Sequence, residues 1–157
     1  MVRRLLSLPT MPITRVRDLM TPVVETLAVG DTLLAARKRL ERGRIRHLPV
    51  VDGDEHLVGL ITHRHILNAW VSHGQPGLES RDRVASEIPI EMLMEKNVLT
   101  VDPETAAAEA ARLLISYRFG CLPVLVQRKL VGIITEADFV RFAQRFFEWE
   151  MRTGPDI

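Results

Sequence analysis

A chain of 157 residues is long enough for one sizeable core, and 46% hydrophobic with 26% charged residues is ordinary for a globular protein. Its 21 basic and 20 acidic residues leave a net charge of +1, which excludes a bulk electrostatic pull toward nucleic acid or a membrane surface. One cysteine, Cys121, excludes an internal disulfide framework and a cysteine-cluster metal site.

The opening Met-Val-Arg-Arg-Leu-Leu-Ser-Leu-Pro has too few apolar residues for a signal-peptide core. No run in the chain approaches the ~18 apolar residues of a membrane span, so a cytoplasmic location without membrane insertion is expected. Residues 1–12 read as a tail. Val16–Met20 reads as a short helical lead-in stopped by Pro22, and Val23–Val29 as a strand. Asp31 is placed to cap a helix carrying Leu33, Leu34, Ala36 and Leu40. His47–Val51 and Leu57–Thr62 flank Asp52-Gly53-Asp54, a hairpin signal, and a helix follows over Arg64–Val71. Gly74, Pro76, Gly77 and several charges then mark a connector, set at 74–87.

The same series returns. Ile90–Met94 is a lead-in, Asn97–Val101 a strand, and Asp102-Pro103-Glu104 the start of a helix with Ala106, Ala107, Ala110, Leu113, Leu114 and Tyr117 at helical spacing. Leu122–Val126 and Leu130–Thr135 form a second hairpin around Gln127-Arg128-Lys129, a weaker turn signal, before a helix over Glu136–Met151 and a tail at 153–157. Met20 and Met94, like Pro49 and Pro123, lie 74 positions apart, and Gly59 and Gly132 lie 73 apart. A repeat of this length is one supersecondary unit used twice. The near-continuous apolar strands indicate burial on both faces. The expected units are residues 13–73 and 88–151, with a cleft between them suited to a ligand.

Leu-Pro-Val followed by Val-Gly-x-Ile-Thr, twice in register, and Leu130-Val131-Gly132-Ile133-Ile134-Thr135-Glu136-Ala137-Asp138 in particular, resemble the cystathionine-β-synthase (CBS) domain. The resemblance covers about residues 13–150 and implies a tandem pair, or Bateman module. It implies an α/β (α+β) fold of two β-α-β-β-α repeats about a pseudo-two-fold. It further implies a regulatory, non-catalytic module that senses an adenosine ligand (AMP, ADP, ATP or S-adenosylmethionine), signals to a regulated partner protein and often dimerises.

Residue by residue, the resemblance assigns Thr135 and Asp138 to the ribose, since a carboxylate accepts hydrogen bonds from both vicinal hydroxyls. It lines the adenine pocket with Asn97, Val98, Leu99, Gly120, Cys121, Leu122 and Pro123. In Thr62-His63-Arg64-His65, His65 stands where the ribose aspartate belongs, so one working cleft is expected, that of Thr135 and Asp138, with the first repeat's own cleft empty or altered. As in the γ subunit of AMP-activated protein kinase, basic residues before Leu-Pro and after the Thr of one repeat reach phosphates held by the other. Arg46, His47, Arg64 and His65 are the candidates here, because guanidinium forks match phosphate oxygens. The arginines favour AMP, ADP or ATP over S-adenosylmethionine, which is cationic at sulfur.

Among His47, His56, His63, His65 and His73 no spacing matches a metal motif, and no nucleophile elbow, P-loop or Gly-x-Gly-x-x-Gly is present. Neither a metal site nor catalysis is expected. The last helix, with Phe139, Val140, Phe142, Phe146, Phe147 and Trp149, carries apolar surface for a homodimer or partner. The alternative function is a constitutive interaction module with no physiological ligand.

Overall fold

The computed structural model describes residues 14–72 and 77–153. The elements run α1 (Val16–Leu19), β1 (Leu27–Ala28), α2 (Leu33–Gly43), β2 (His47–Val51), β3 (Leu57–Thr62), α3 (His63–Ser72), α4 (Leu78–Glu87), a 3₁₀ turn (Ile90–Met92), α5 (Ala107–Tyr117), β4 (Cys121–Val126), β5 (Lys129–Thr135) and α6 (Glu136–Thr153). Residues 1–12 and 154–157 of the expected tails, and His73, fall outside the described residues.

The two hairpins share one register. Leu48 pairs with Ile61 and Pro49 with Leu60 in the first; Leu122 pairs with Ile134 and Pro123 with Ile133 in the second. β1 pairs in parallel with β2. Its counterpart is a single parallel bridge, Val101 to Val124, rather than the strand expected over Asn97–Val101. Residues 23–26 and 97–100 cross between the repeats and so find no continuous strand partner.

That crossing exchanges the lead-ins. Val16 is fully buried in the core of the second repeat, with Leu114, Leu122, Val124 and Ile134. Ile88 and Ile90 are buried in the core of the first, with Leu33, Leu48 and Ile61. Thr21 bridges to Ile133, and Glu95 to Leu60. A Cβ on Gly132 would collide with the Met20 side chain, and one on Gly59 with Met94. The repeated Val-Gly is therefore where the other repeat's methionine lies against the hairpin.

The same exchange corrects both helix starts. α2 is capped by Thr32, whose hydroxyl accepts from the Ala35 N–H at 3.5 Å. Asp31 instead accepts from the Ala28 N–H and pairs with Arg39. α5 begins at Ala107, after a turn in which Asp102 accepts from the Glu104 N–H. The leading N–H groups of both helices donate to exchanged backbone, Leu33 to the Ile88 carbonyl at 2.9 Å and Ala107 to that of Thr14 at 2.8 Å.

The stretch expected as connector holds α4, which starts after Gly77 and packs on α2. Ala85 of α4 is fully buried in the first core, and Asp82 pairs with Arg37 of α2. Burial of one small face is what makes this polar segment helical. A third cluster, Leu60, Cys121 and Ile133 with Val24 and Val98 against it, joins the repeats.

Candidate functional site

A cavity of about 510 Å³ opens beside this joining layer, a size typical of small-molecule sites. One wall is the junction where β3 becomes α3, with Thr62, His63, Arg64 and His65. A second is the crossing segment Asn97, Val98 and Leu99, preceded by Glu95. The rest is Arg46 and His47 leading into β2, Arg118, Phe119, Gly120 and Cys121 leading into β4, with Leu60 and Glu136.

Nine sequence-assigned residues meet here: Asn97, Val98, Leu99, Gly120, Cys121, Arg46, His47, Arg64 and His65. Four do not line the cavity. Leu122 is fully buried in the core of the second repeat, and Pro123 is buried beside it. Thr135 and Asp138 lie at the pseudo-symmetric junction where β5 becomes α6. The reason is the exchange: Asn97–Leu99 follows a lead-in that belongs to the first repeat's core, and so faces Thr62–His65.

The two junctions are built alike. Asp138 is buried; its Oδ2 accepts from the Thr135 N–H at 2.7 Å and from the Thr135 hydroxyl at 2.8 Å, and its Oδ1 from Arg141. At the other junction the Thr62 N–H donates to His65 Nδ1 at 3.1 Å. His65 thus performs the capping half of the aspartate's work. With Nδ1 accepting, the ring is neutral and carries its hydrogen on Nε2. Burial lowers the His65 pKa, Glu95 works against that, and Arg64 adds to it. Burial also lowers that of His47, reinforced by Arg46 and opposed by Glu136.

The electrostatics are lopsided. Arg15, Arg17, Arg37, Arg39, Arg42 and Arg141 each pair with a carboxylate. Arg46, Arg64 and Arg118 make no side-chain hydrogen bond or ion pair with a described residue. Three guanidinium groups against two carboxylates, Glu95 and Glu136, leave the lining one charge positive, which favours an anion on the arginine side. The apolar side, Val98, Leu99, Leu60 and Cys121, suits a flat ring, and the Cys121 thiol is pushed up to about 12 by burial, so it is no nucleophile. The His47 ring fills the space that a Cβ on Gly120 would need, its Nε2 2.6 Å from that position.

Sequence reasoning assigned no site role to Leu60, Thr62, His63, Glu95, Arg118, Phe119 or Glu136. The 74-residue offset pairs Arg118 with Arg44 and was the available signal for the former. Asp52, Asp54 and His56 approach one another at the β2–β3 turn. Asp52 Oδ1 accepts from the Asp54 and His56 N–H groups, both at 2.9 Å, which is the ordinary bonding of such a turn.

The family model for the CBS domain matches the chain twice, at residues 16–72 and 85–145. A CBS domain-containing protein of Dictyostelium discoideum is 33% identical over 127 residues, covering 80% of this chain and 88% of that one. Three further relatives are longer, the chain spanning 32%, 25% and 15% of them. The CBS domain pair of protein MJ0100, solved in complex with 5′-methylthioadenosine and S-adenosyl-L-methionine, matches with a TM-score of 0.73 and 28% identity, over 86% of this chain and 99% of that one. CBSX2, solved in complex with AMP, matches with a TM-score of 0.71 and 28% identity, over 84% and 97%. Two family matches that take in most of its length, on a fold shared with solved domain pairs, establish that the chain belongs to the CBS domain family, as a tandem pair.

Proposed function

We propose that this CBS pair is a regulatory module that takes an adenine nucleotide, AMP, ADP or ATP, into the cavity between its repeats and passes its occupancy to a partner protein. The observation that carries the reading is the set of unpaired Arg46, Arg64 and Arg118 opposite the apolar segment at Val98 and Leu99. The adenine lies against Asn97, Val98, Leu99, Gly120 and Cys121, with Leu122 and Pro123 as the packed layer behind. Arg46 and Arg64 take the phosphates and His47 adds a ring N–H donor; His65 has one ring N–H, on Nε2, for the ligand oxygen that lies over the Thr62–His65 junction. The MJ0100 and CBSX2 complexes support an adenosine ligand. The arginines disfavour S-adenosylmethionine, whose sulfonium would be repelled.

Calorimetric titration with adenosine, AMP, ADP, ATP and S-adenosylmethionine tests this. Arg46→Ala and Arg64→Ala should each weaken ADP and ATP by about tenfold, the scale of one charge-assisted hydrogen bond, and leave adenosine nearly unchanged. Equal losses for all would contradict the phosphate role. No heat and no thermal shift with any ligand would leave a constitutive interaction module as the better reading. Ribose binding at Thr135 and Asp138 belongs to the other junction. Asp138→Ala tells the two apart: with the nucleotide in the Thr62–His65 cavity, it lowers stability through the lost cap and leaves the stoichiometry unchanged.

Transmission to a partner requires different affinities in two states of the pair. A homodimer is part of the reading. Val140, Phe147 and Met151 of α6 are 68%, 58% and 83% exposed, and their spacing puts them on one helical face. Sedimentation of the chain and of Phe147→Glu checks it. No described helix is long and apolar enough to cross a membrane, and the expected cytoplasmic setting is where such nucleotides are met.

A further inference from the structure

We propose that Glu95 and His65 together hold the ribose of the nucleotide bound in this cavity, replacing the single aspartate that the first repeat lacks. The inference rests on the adenine-nucleotide reading above and names the residues that read its sugar.

A vicinal diol brings two O–H groups that each donate and accept, and a pocket that reads it supplies acceptors. Asp138 could supply them at its junction. His65 cannot, because Nδ1 already accepts the Thr62 N–H and Nε2 carries the hydrogen. This junction therefore offers one donor and lacks an acceptor.

The acceptor comes from the exchanged lead-in. The Glu95 backbone is fastened to Leu60, two residues before Thr62, by hydrogen bonds of 2.9 and 3.0 Å. Its Oε1 accepts the Asn97 N–H at 2.8 Å. The carboxylate thus lies at the Asn97–Leu99 wall, near enough to His65 to act on its charge, and Oε2 has no partner among the described residues. In the other repeat the matching bridge position, opposite Ile133, is Thr21. One junction carries Asp138 with Thr21 at its bridge position, and the other carries His65 with Glu95. The carboxylate has moved from the helix junction to the lead-in that faces it. The two side chains also sense each other, since Glu95 opposes the burial that lowers the His65 pKa. The other wall carboxylate, Glu136, acts on His47. The diol would donate to Glu95 Oε2 through one hydroxyl and accept from His65 Nε2–H through the other.

Titration of the full chain with ADP and with 2′,3′-dideoxy-ADP tests this. The unaltered chain should prefer ADP by about tenfold or more, the scale of a hydrogen bond to a charged acceptor. Glu95→Gln keeps an oxygen for Asn97 and turns an NH₂ toward the diol. It should remove that preference while leaving dideoxy-ADP within about twofold, and His65→Asp added to it should restore the preference. If the unaltered chain binds both ligands equally, or Glu95→Gln weakens both equally, the inference is overturned and the nucleotide reading stands. If neither ligand binds the unaltered chain, both fall. Where Glu95→Gln fails to fold, Asp138→Ala decides: a preference for ADP that survives it keeps the sugar at the Thr62–His65 junction, and a preference lost with it overturns the inference.

Discussion

Arg44 and Arg118 end α2 and α5 in the left-handed region, at φ 49° and 55°. Glycine is the usual residue there, and a β-carbon costs about 1 kcal/mol. Only Arg118 lines the cavity, so its strain is retained beside a use for its charge. Arg44→Gly and Arg118→Gly should each raise stability by about 1 kcal/mol in urea unfolding, but only Arg118→Gly should weaken ADP in calorimetry. A second prediction concerns His47 and His65, both held below the ordinary histidine value of 6.5, first by burial. In the window below 6.5 the unfolded chain takes up protons that the folded chain refuses. Their contribution to stability is therefore complete above pH 6.5 and is lost as pH falls through the folded values. The melting temperature should drop on acidification from pH 6.5 toward 5. The drop should be shallower in a His47→Gln/His65→Asn double variant, in which neither position titrates.

The β4–β5 hairpin turns on Gln127 and Arg128, with φ 49° and 69° and Val126 paired to Lys129. Two positive φ values in a two-residue loop define a primed turn, for which Asn-Gly is the preferred sequence. Arg128→Gly should therefore stabilise the protein by about 1 kcal/mol, read as a raised urea midpoint. Its backbone carbonyl, which accepts from the Leu57 N–H at 3.2 Å, is retained. This hairpin was legible despite its poor turn residues, because Leu-Pro-Val and Val-Gly-Ile-Ile-Thr fix the register from either side. The helix starts were less so. Asp31 and Asp102 are sound local caps by composition, yet the N–H groups of Leu33 and Ala107 are satisfied by the carbonyls of Ile88 and Thr14. Local rules weigh neighbouring side chains and are blind to a carbonyl tens of residues away. α4 escaped for a related reason: its sequence is polar, and it is helical because α2 buries Ala85.

At the scale of the molecule, the repeats were plain from the offset, and so was most of the cavity's lining. Which junction those residues would face was not, because it depends on an exchange that leaves no mark in the spacing. The glycines that receive Met20 and Met94 recur in both copies, but either arrangement of the methionines satisfies that pattern. The exchange makes each repeat's core depend on a segment of the other, and this carries the last prediction. Val16 opens the first repeat in sequence yet is fully buried beside Leu114, Leu122, Val124 and Ile134 of the second. Val16→Ala should cost roughly 1–3 kcal/mol, as core truncations do. Where the protection is lost matters more than how much. Amide hydrogen exchange should quicken first at Leu122, Val124 and Ile134 of β4 and β5, while Leu48, Val50 and Ile61 of β2 and β3 keep their protection at low denaturant. Loss confined to β2 and β3 would mean that α1 packs on its own repeat, and the pairing of Asn97–Leu99 with His65 would then have to be redrawn. Equal loss in both hairpins would mean that the exchanged segments bind the halves into one cooperative unit. A nucleotide in the cavity between them would in that case stabilise both together.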